Sequence, residues 1–347
     1  PLATRHSPLA SRHSPLASRF SQLASHNSTV SDDRFDAANR VRVLVLTSPK
    51  AGSGAGRAEV PRLASLLEQA GIDCRVMSSI DELQEKLAAA SHADVETVVV
   101  AAGGDGTLAL AASTVLQSPH RSQNPPMLVP MPLGTENLIS RHFGFTCSAD
   151  NVCRTIRYGA SRTIDSGLAN DRRFLIMATA GFDAEVVRRL HLTRRGHIRR
   201  LSYLWPTLKA MREYSFPKIR IGIDGREPVE CAWAMVFNLP LYGGGLLIEP
   251  DARDDDGFFD VIAFRSGSIA SGLGYVTQIT FGRHLNNDSV FRARGKSVTI
   301  ESETRVPFQL DGDYAGRLPV KIEMSPQSVR LLTPASIPED SKLQRPA

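Results

Sequence analysis

Hydrophobic and polar positions follow two different rhythms along this chain. From Val41, short β-branched runs alternate with stretches of helical periodicity. VRVLVLT (Val41–Thr47) predicts a buried strand, followed by a Gly-rich loop and a helix over Glu59–Gln69. Ile72–Ser78 predicts a second strand and Asp81–Ala90 a second helix. Val95–Ala102 is a third strand, followed by a helix over Leu108–Leu116. Met127–Met131 is a fourth, leading into helix-like ENLISRHF. Strands alternating with helices at this spacing imply βαβ units and a parallel sheet. Beyond about Arg162 short strand patterns dominate: Phe174–Ala180, Lys218–Asp224, Cys231–Asn238, Phe258–Phe264, Ser297–Ser302, Val306–Asp311 and Pro319–Met324. Helical stretches interrupt them near Ala184–Tyr214 and Ile269–Phe281. The expected fold is therefore a Rossmann-like parallel α/β domain followed by a mainly antiparallel β-sandwich domain.

The first forty residues share neither rhythm. PLATRHS, PLASRHS, PLASRFS and QLASHNS are near-copies of seven residues, and their recurring proline breaks any continuous helix. The reading is a disordered leader over 1–40, an α/β domain over 41–162, a β-rich domain over 163–334 whose last strands are free to return to the first, and a tail over 335–347. The 347 residues suffice for two buried cores. A net charge of +5, spread over that length, argues against a polyanion-binding tail protein and for no nucleic-acid partner. No run nears the roughly 20 apolar residues that span a bilayer. The four cysteines form no CxxC pair, which fits buried thiols in a reducing cytoplasm.

Chemistry concentrates in loops after the early strands. SPKAGSGAGR (Ser48–Arg57) fails the dinucleotide fingerprint, because Arg57 stands where the third glycine belongs. It fails the Walker A pattern too, although its exposed amides can hold an anion. AAGGDGTLAL (Ala101–Leu110) is sharper. Gly103 and Gly104 let backbone approach a ligand and make positive φ available, and Asp105 offers a carboxylate to a metal or a hydroxyl. Gly106 and Thr107 open a helix whose N-terminus favours phosphate. A third loop, MPLGTENLISR, sets Gly134 and Thr135 before another helix. Such loops converge at the carboxyl edge of an open α/β sheet, where ligand crevices form.

GGDGT followed by PLGTxN resembles the diacylglycerol kinase catalytic-domain superfamily, which includes bacterial lipid kinases, sphingosine and ceramide kinases and, more remotely, NAD kinases. IDSGLANDRRF, AGFDAEVV, NLPLYGGGLLIEPDARDDDGFFDV and QLDGDYAG each resemble a family block in the family's order. The resemblance spans about Val41 to Leu332. It implies that Ser48, Pro49, Lys50, Ala51 and Gly52 line nucleotide phosphates, and that Gly103, Gly104, Asp105, Gly106, Thr107, Leu108 and Ala109 cradle ATP. Thr135 adds a hydroxyl contact. A Mg²⁺ at the DDG turn is implied on Asp256 and the carbonyls of Arg253 and Phe258, and Asp165 is a candidate for organising water and metal near the acidic pair of the last block. The acidic pair Asp311 and Asp313 supplies the base for the acceptor hydroxyl, Asp105 being the alternative.

Several positions depart from the family pattern. Ala109 and Leu110 replace a polar pair, Asp313 stands for a longer glutamate, and Glu136 occupies a place where small residues are common. The implied activity is transfer of the ATP γ-phosphate to a hydroxyl of diacylglycerol or a related long-chain lipid, with Mg²⁺. The competing readings are an NAD kinase-like enzyme and a nucleotide-binding regulatory protein without turnover. Val186–Arg200 packs six arginines and two histidines into fifteen residues beside apolar Leu201–Leu208. That element suits a lipid substrate at a membrane surface, and the protein is then cytoplasmic and peripheral at the membrane. The oligomeric state is left open, a homodimer included.

Overall fold

A computed structural model describes residues 41–47, 55–90, 95–118, 125–193 and 213–335. The leader over 1–40, the predicted phosphate-lining residues Ser48, Pro49, Lys50, Ala51 and Gly52, the basic stretch beyond Thr193 and the tail from 336 lie outside the described residues.

The first half alternates as its pattern predicts: β1 (Val41–Thr47), α1 (Ala55–Gln69), β2 (Asp73–Met77), α2 (Ile80–Ala90), β3 (Glu96–Gly103), α3 (Asp105–Gln117), β4 (Met127–Pro132), α4 (Leu138–Phe143) and α5 (Ala149–Tyr158). β1 pairs in parallel with β2 and β3, and β3 with β4. β1, β3 and β4 are buried along almost their whole length, as parallel strands covered on both faces must be. That is why they read as continuous apolar runs. α5 was not predicted, yet Ala149, Val152 and Ile156 recur at helical spacing on its buried side.

Two further strands complete this sheet, one directly after α5 and one from far along the chain. Its order is β2-β1-β3-β4-β20-β5, with β5 (Ala160–Ile164) and β20 (Val329–Thr333) at one side. β20 runs parallel to β4 and antiparallel to β5.

The remaining strands form two six-stranded antiparallel sheets. The first, β10-β9-β16-β19-β6-β7, uses β6 (Gly167–Ala169), β7 (Arg172–Phe174), β9 (Ile219–Ile223), β10 (Val229–Cys231), β16 (Ser297–Glu301) and β19 (Val320–Met324). The second, β15-β14-β11-β8-β17-β18, uses β8 (Met177–Gly181), β11 (Trp233–Phe237), β14 (Phe259–Phe264), β15 (Val290–Gly295), β17 (Pro307–Leu310) and β18 (Asp313–Arg317). A two-stranded ribbon of β12 (Leu241–Tyr242) and β13 (Leu246–Leu247), and helices α6 (Phe182–Thr193) and α7 (Ile269–Thr280), sit between strands.

The second sheet is covered on both faces. Ala234 and Val236 of β11 face the sandwich core with Phe259 and Val261, whereas Trp233, Met235 and Phe237 join the core of the α/β domain. The period-2 alternation thus sorts β11 between two cores.

The predicted strand Phe174–Ala180 is broken. β7 ends at Phe174 and β8 starts at Met177, because a side chain rather than a neighbouring strand takes the amides between them, as described below.

Leu331 is fully buried between β4 and β5, so the α/β sheet needs the last strand of the chain. Leu331→Ala is expected to lower stability by about 2–5 kcal/mol. Urea denaturation followed by circular dichroism checks this, and a loss well under that range would mean that β20 is an accessory strand.

Candidate functional site

The second and third Gly-rich loops meet backbone to backbone. A Cβ on Gly134 would lie 2.6 Å from Gly104 Cα, and one on Gly103 would lie 2.2 Å from Thr107 Oγ1. These glycines are required by closeness and not by conformation: Gly104 has φ −93, and Gly103, Gly106 and Gly134 lack positive φ as well. The positive φ expected at the double glycine is therefore corrected to a steric need. Asn137 carries the left-handed conformation instead, at φ 49. Its side chain closes the third loop on itself, Nδ2 donating to Gly134 O at 2.8 Å and Oδ1 accepting from Gly134 N at 3.1 Å. Because Asn137 is left-handed, α4 begins at Leu138 and not at Glu136.

Asp105 is not free for a ligand in the way its sequence position suggests. Its carboxylate accepts from the backbone amides of Leu138 at 2.9 Å and Ile139 at 3.3 Å, capping α4 rather than its own helix. Burial raises its carboxyl above the ordinary range against these two amide donors, and the nearby Glu136 adds to the rise. Leu108 and Ala109 also need correction: Leu108 is buried in the α/β core and Ala109 packs against it, so neither side chain faces a ligand. What this segment offers is backbone. Gly106 and Thr135 are exposed; Thr107 and Leu108 amides donate to Gly104 O, which leaves those of Asp105 and Gly106 as the first-turn amides of α3 without a helical acceptor.

From the other domain comes the hairpin between β17 and β18. Asp311 (φ 50) and Gly312 (φ 88) are the two central residues of its turn, a type I′ pattern. Asp311 points inward: its carboxylate accepts from Leu175 and Ile176 at 2.8 Å and from Met177 at 3.0 Å. Burial pushes the carboxyl up to about 7 against those donors, with Asp105 reinforcing the rise. Asp313 points the other way. It is exposed, and a Cβ on Gly106 would lie 3.0 Å from its Oδ2, so this carboxylate sits against the first turn of α3. The predicted pair is thus divided into one inward clamp and one exposed group against the first turn of α3.

Sequence reading missed the residues that set this hairpin. Gln309 Oε1 accepts from Gly312 N at 2.7 Å, while its Nε2 donates to Thr179 Oγ1 at 2.9 Å and to Asp183 Oδ2 at 3.2 Å. Thr179 donates to the same Asp183 oxygen. All three residues are buried. Asn238 works in parallel, its Nδ2 donating to the carbonyls of Asp165 and Leu175. The Asp-Gly dipeptide was the available signal for the turn; nothing local marks Gln309.

At the acidic turn the implied cation ligands do not fit. Asp256 Oδ2 is ion-paired with Arg294 and has Arg253 Nε at 4.0 Å, while its Oδ1 accepts from Phe258 N at 3.1 Å. Asp254 and Asp255 are paired with Arg162 at 2.7 and 3.6 Å. A divalent ion on Asp256 and the carbonyls of Arg253 and Phe258 would meet two guanidinium groups. Among the described residues no three His, Cys, Asp or Glu side chains are grouped to hold a metal. Asp165 braces this turn, its Oδ2 accepting from Gly257 N at 2.7 Å, and its carbonyl shares Asn238 Nδ2 with that of Leu175, whose amide donates to Asp311.

With that geometry in place, similarity can be weighed. The Diacylglycerol kinase catalytic domain matches residues 42–169, and the YegS C-terminal NAD kinase beta sandwich-like domain matches residues 177–333. A diacylglycerol kinase of Staphylococcus carnosus (strain TM300) is 26% identical over 312 residues, covering 88% of this chain and 99% of its own. One of Staphylococcus aureus (strain Newman) is 26% identical over 304 residues, covering 86% and 94%. A crystal structure of a diacylglycerol kinase from Bacillus anthracis str. Sterne superposes with a TM-score of 0.61 at 24% identity, over 85% of this chain and 97% of that one, a likeness of fold.

The buried Asp183 generates a pH signature. Burial raises its carboxyl to about 6, against hydrogen bonds from Thr179 and Gln309. The folded state therefore holds this proton more tightly than the unfolded chain does. The resulting stabilisation is complete below about pH 4 and is lost as pH rises through about 6. Against Asp183→Asn, which cannot titrate, wild-type stability should fall by about 3 kcal/mol across that window and then run parallel. Denaturation of both proteins over a pH series reads this out; parallel curves throughout would contradict it. Two matched family domains in order, relatives aligned end to end and a shared fold lead to one statement: the chain belongs to the diacylglycerol kinase-like superfamily, a lipid kinase family.

Proposed function

We propose that the chain is an ATP-dependent kinase that transfers the γ-phosphate to a hydroxyl of diacylglycerol or a related long-chain lipid. The observation that carries this is the meeting of Asp313, on the sandwich hairpin, with Gly106 at the N-terminus of α3. A carboxylate is thereby held beside a backbone site suited to phosphate. Phosphoryl transfer asks for little more than positioning, charge neutralisation and one base near the attacking hydroxyl.

In this reading the first-turn amides of α3 and the closely packed second and third loops take the nucleotide phosphates. The resemblance adds Ser48 to Gly52 to that cradle. Asp313 accepts the proton of the acceptor hydroxyl as its oxygen attacks the γ-phosphorus and ADP leaves. Asp311 holds the hairpin through the Leu175–Met177 amides, and Gln309 fixes its turn. Mg²⁺ enters as part of the nucleotide substrate, and no step is assigned to the acidic turn. Among the described residues no helix is long and apolar enough to cross a membrane, so a lipid acceptor is met at a surface.

The test is transfer of labelled γ-phosphate from ATP to diacylglycerol, monoacylglycerol, sphingosine, ceramide and NAD. Label is expected in a glycerolipid. Asp313→Asn should lower turnover by about 10²–10⁴-fold with its unfolding midpoint unchanged. Asp311→Asn should lower the midpoint as well. Label only in NAD would move the protein to the nucleotide-phosphorylating branch, and label nowhere would favour a regulatory protein. A fully active Asp313→Asn beside a folded but inactive Asp311→Asn would reassign the base.

A further inference from the structure

Helix α7 is apolar on both sides. Gly272, Tyr275 and Ile279 face inward, and Tyr275 packs on Phe264 with ring centroids 4.6 Å apart. Outward, Ile269, Leu273 and Val276 recur at i, i+4 and i+7 and are 46%, 46% and 36% exposed. Phe281, just past the helix end, is 71% exposed. An exposed apolar stripe of this kind marks a surface that something covers.

The charges around the stripe say what covers it. Exposed Arg265 precedes the helix and exposed Arg283 follows it, the helix itself carries no charged side chain, and the first acid after it is the exposed Asp288. A second copy pairing through this stripe by two-fold symmetry would set arginine against arginine, with Asp288 the one acid near them along the chain. Anionic lipid head groups answer both, and the apolar side chains enter the acyl boundary between them.

We propose that the outer face of α7, with Ile269, Leu273, Val276 and Phe281 flanked by Arg265 and Arg283, docks the protein on an anionic lipid surface. The purpose of such docking rests on the lipid-kinase reading, but the docking itself is measured independently of turnover.

The experiment is co-sedimentation of the full chain with phosphatidylcholine vesicles, with and without phosphatidylglycerol. Beside it run sedimentation velocity and turnover of a short-chain, water-soluble diacylglycerol. Wild type should bind more tightly as phosphatidylglycerol is added. The triple variant Ile269→Ser, Leu273→Ser, Phe281→Ser should bind at least about tenfold more weakly. Its turnover of the soluble acceptor should be unchanged. Arg265→Glu with Arg283→Glu should abolish the preference for phosphatidylglycerol, which keeps the test decisive even if the triple variant misfolds. Wild-type binding by the triple variant overturns the proposal. So does a wild-type dimer that the triple variant converts to monomers with vesicle binding intact. If no lipid is turned over while docking behaves as stated, the kinase reading fails and the docking surface stands.

Discussion

The carboxylate of Asp311 pins the hairpin between β17 and β18 to the crossover that links the two sheets of the sandwich. Three consecutive amides, those of Leu175, Ile176 and Met177, donate to it. They lie where the chain leaves one sheet of the sandwich and enters the other. An unpaired buried amide costs about 1–3 kcal/mol, so a segment carrying three of them cannot be left without an acceptor. The Asp-Gly turn supplies one. In doing so it fixes the height and direction of the hairpin, and Asp313 is aimed at α3 as a consequence. Gln309, Thr179 and Asp183 brace the same turn from inside. The exposed group against α3 is thus positioned by groups that point inward.

On the α/β side the constraint is close approach. Gly104 and Gly134 pack backbone on backbone, and Asp105 spans the gap to cap α4. Two phosphate-type loops are thereby fused into one rigid edge at the carboxyl ends of β3 and β4. Glu136, an unusual residue for its position, accepts from Gly244 N at 2.9 Å and so ties this edge to the Gly-rich segment after β12. Rigidity of this kind suits electrostatic catalysis, where dipoles gain by being oriented before the substrate arrives.

Much of this was legible in the sequence, and the failures have physical causes. The strands β1, β3 and β4 announced themselves because parallel strands buried on both faces are continuous apolar runs. The short strands β6, β7 and β10 did not, because three residues are too few to show a period, and the return of β20 was left open because its partners β4 and β5 lie far away in the chain. Phe174–Ala180 read as one strand because an apolar run cannot show that a distant aspartate claims the amides in its middle. The GGDGT and GTEN loops were found from their glycines, although the reason is closeness and not φ. The two aspartates of LDGD looked alike as letters. Only the turn geometry separates an inward clamp from an exposed group against α3. At the acidic turn the resemblance implied a metal, and arginines from elsewhere in the chain, Arg162 and Arg294, are paired with the carboxylates instead.

In the proposed function the edge formed by the GGDGT and GTEN loops holds nucleotide phosphates opposite the Asp313 hairpin. Hydrogen exchange of the full chain with and without ATP tests it most directly, because exchange reports on the backbone amides that would make those contacts. Protection on adding ATP is expected in peptides covering Gly103–Leu108 and Gly134–Leu138, with a smaller change over Gln309–Tyr314. ATP-dependent protection confined to other segments, with these three unchanged, would contradict the account.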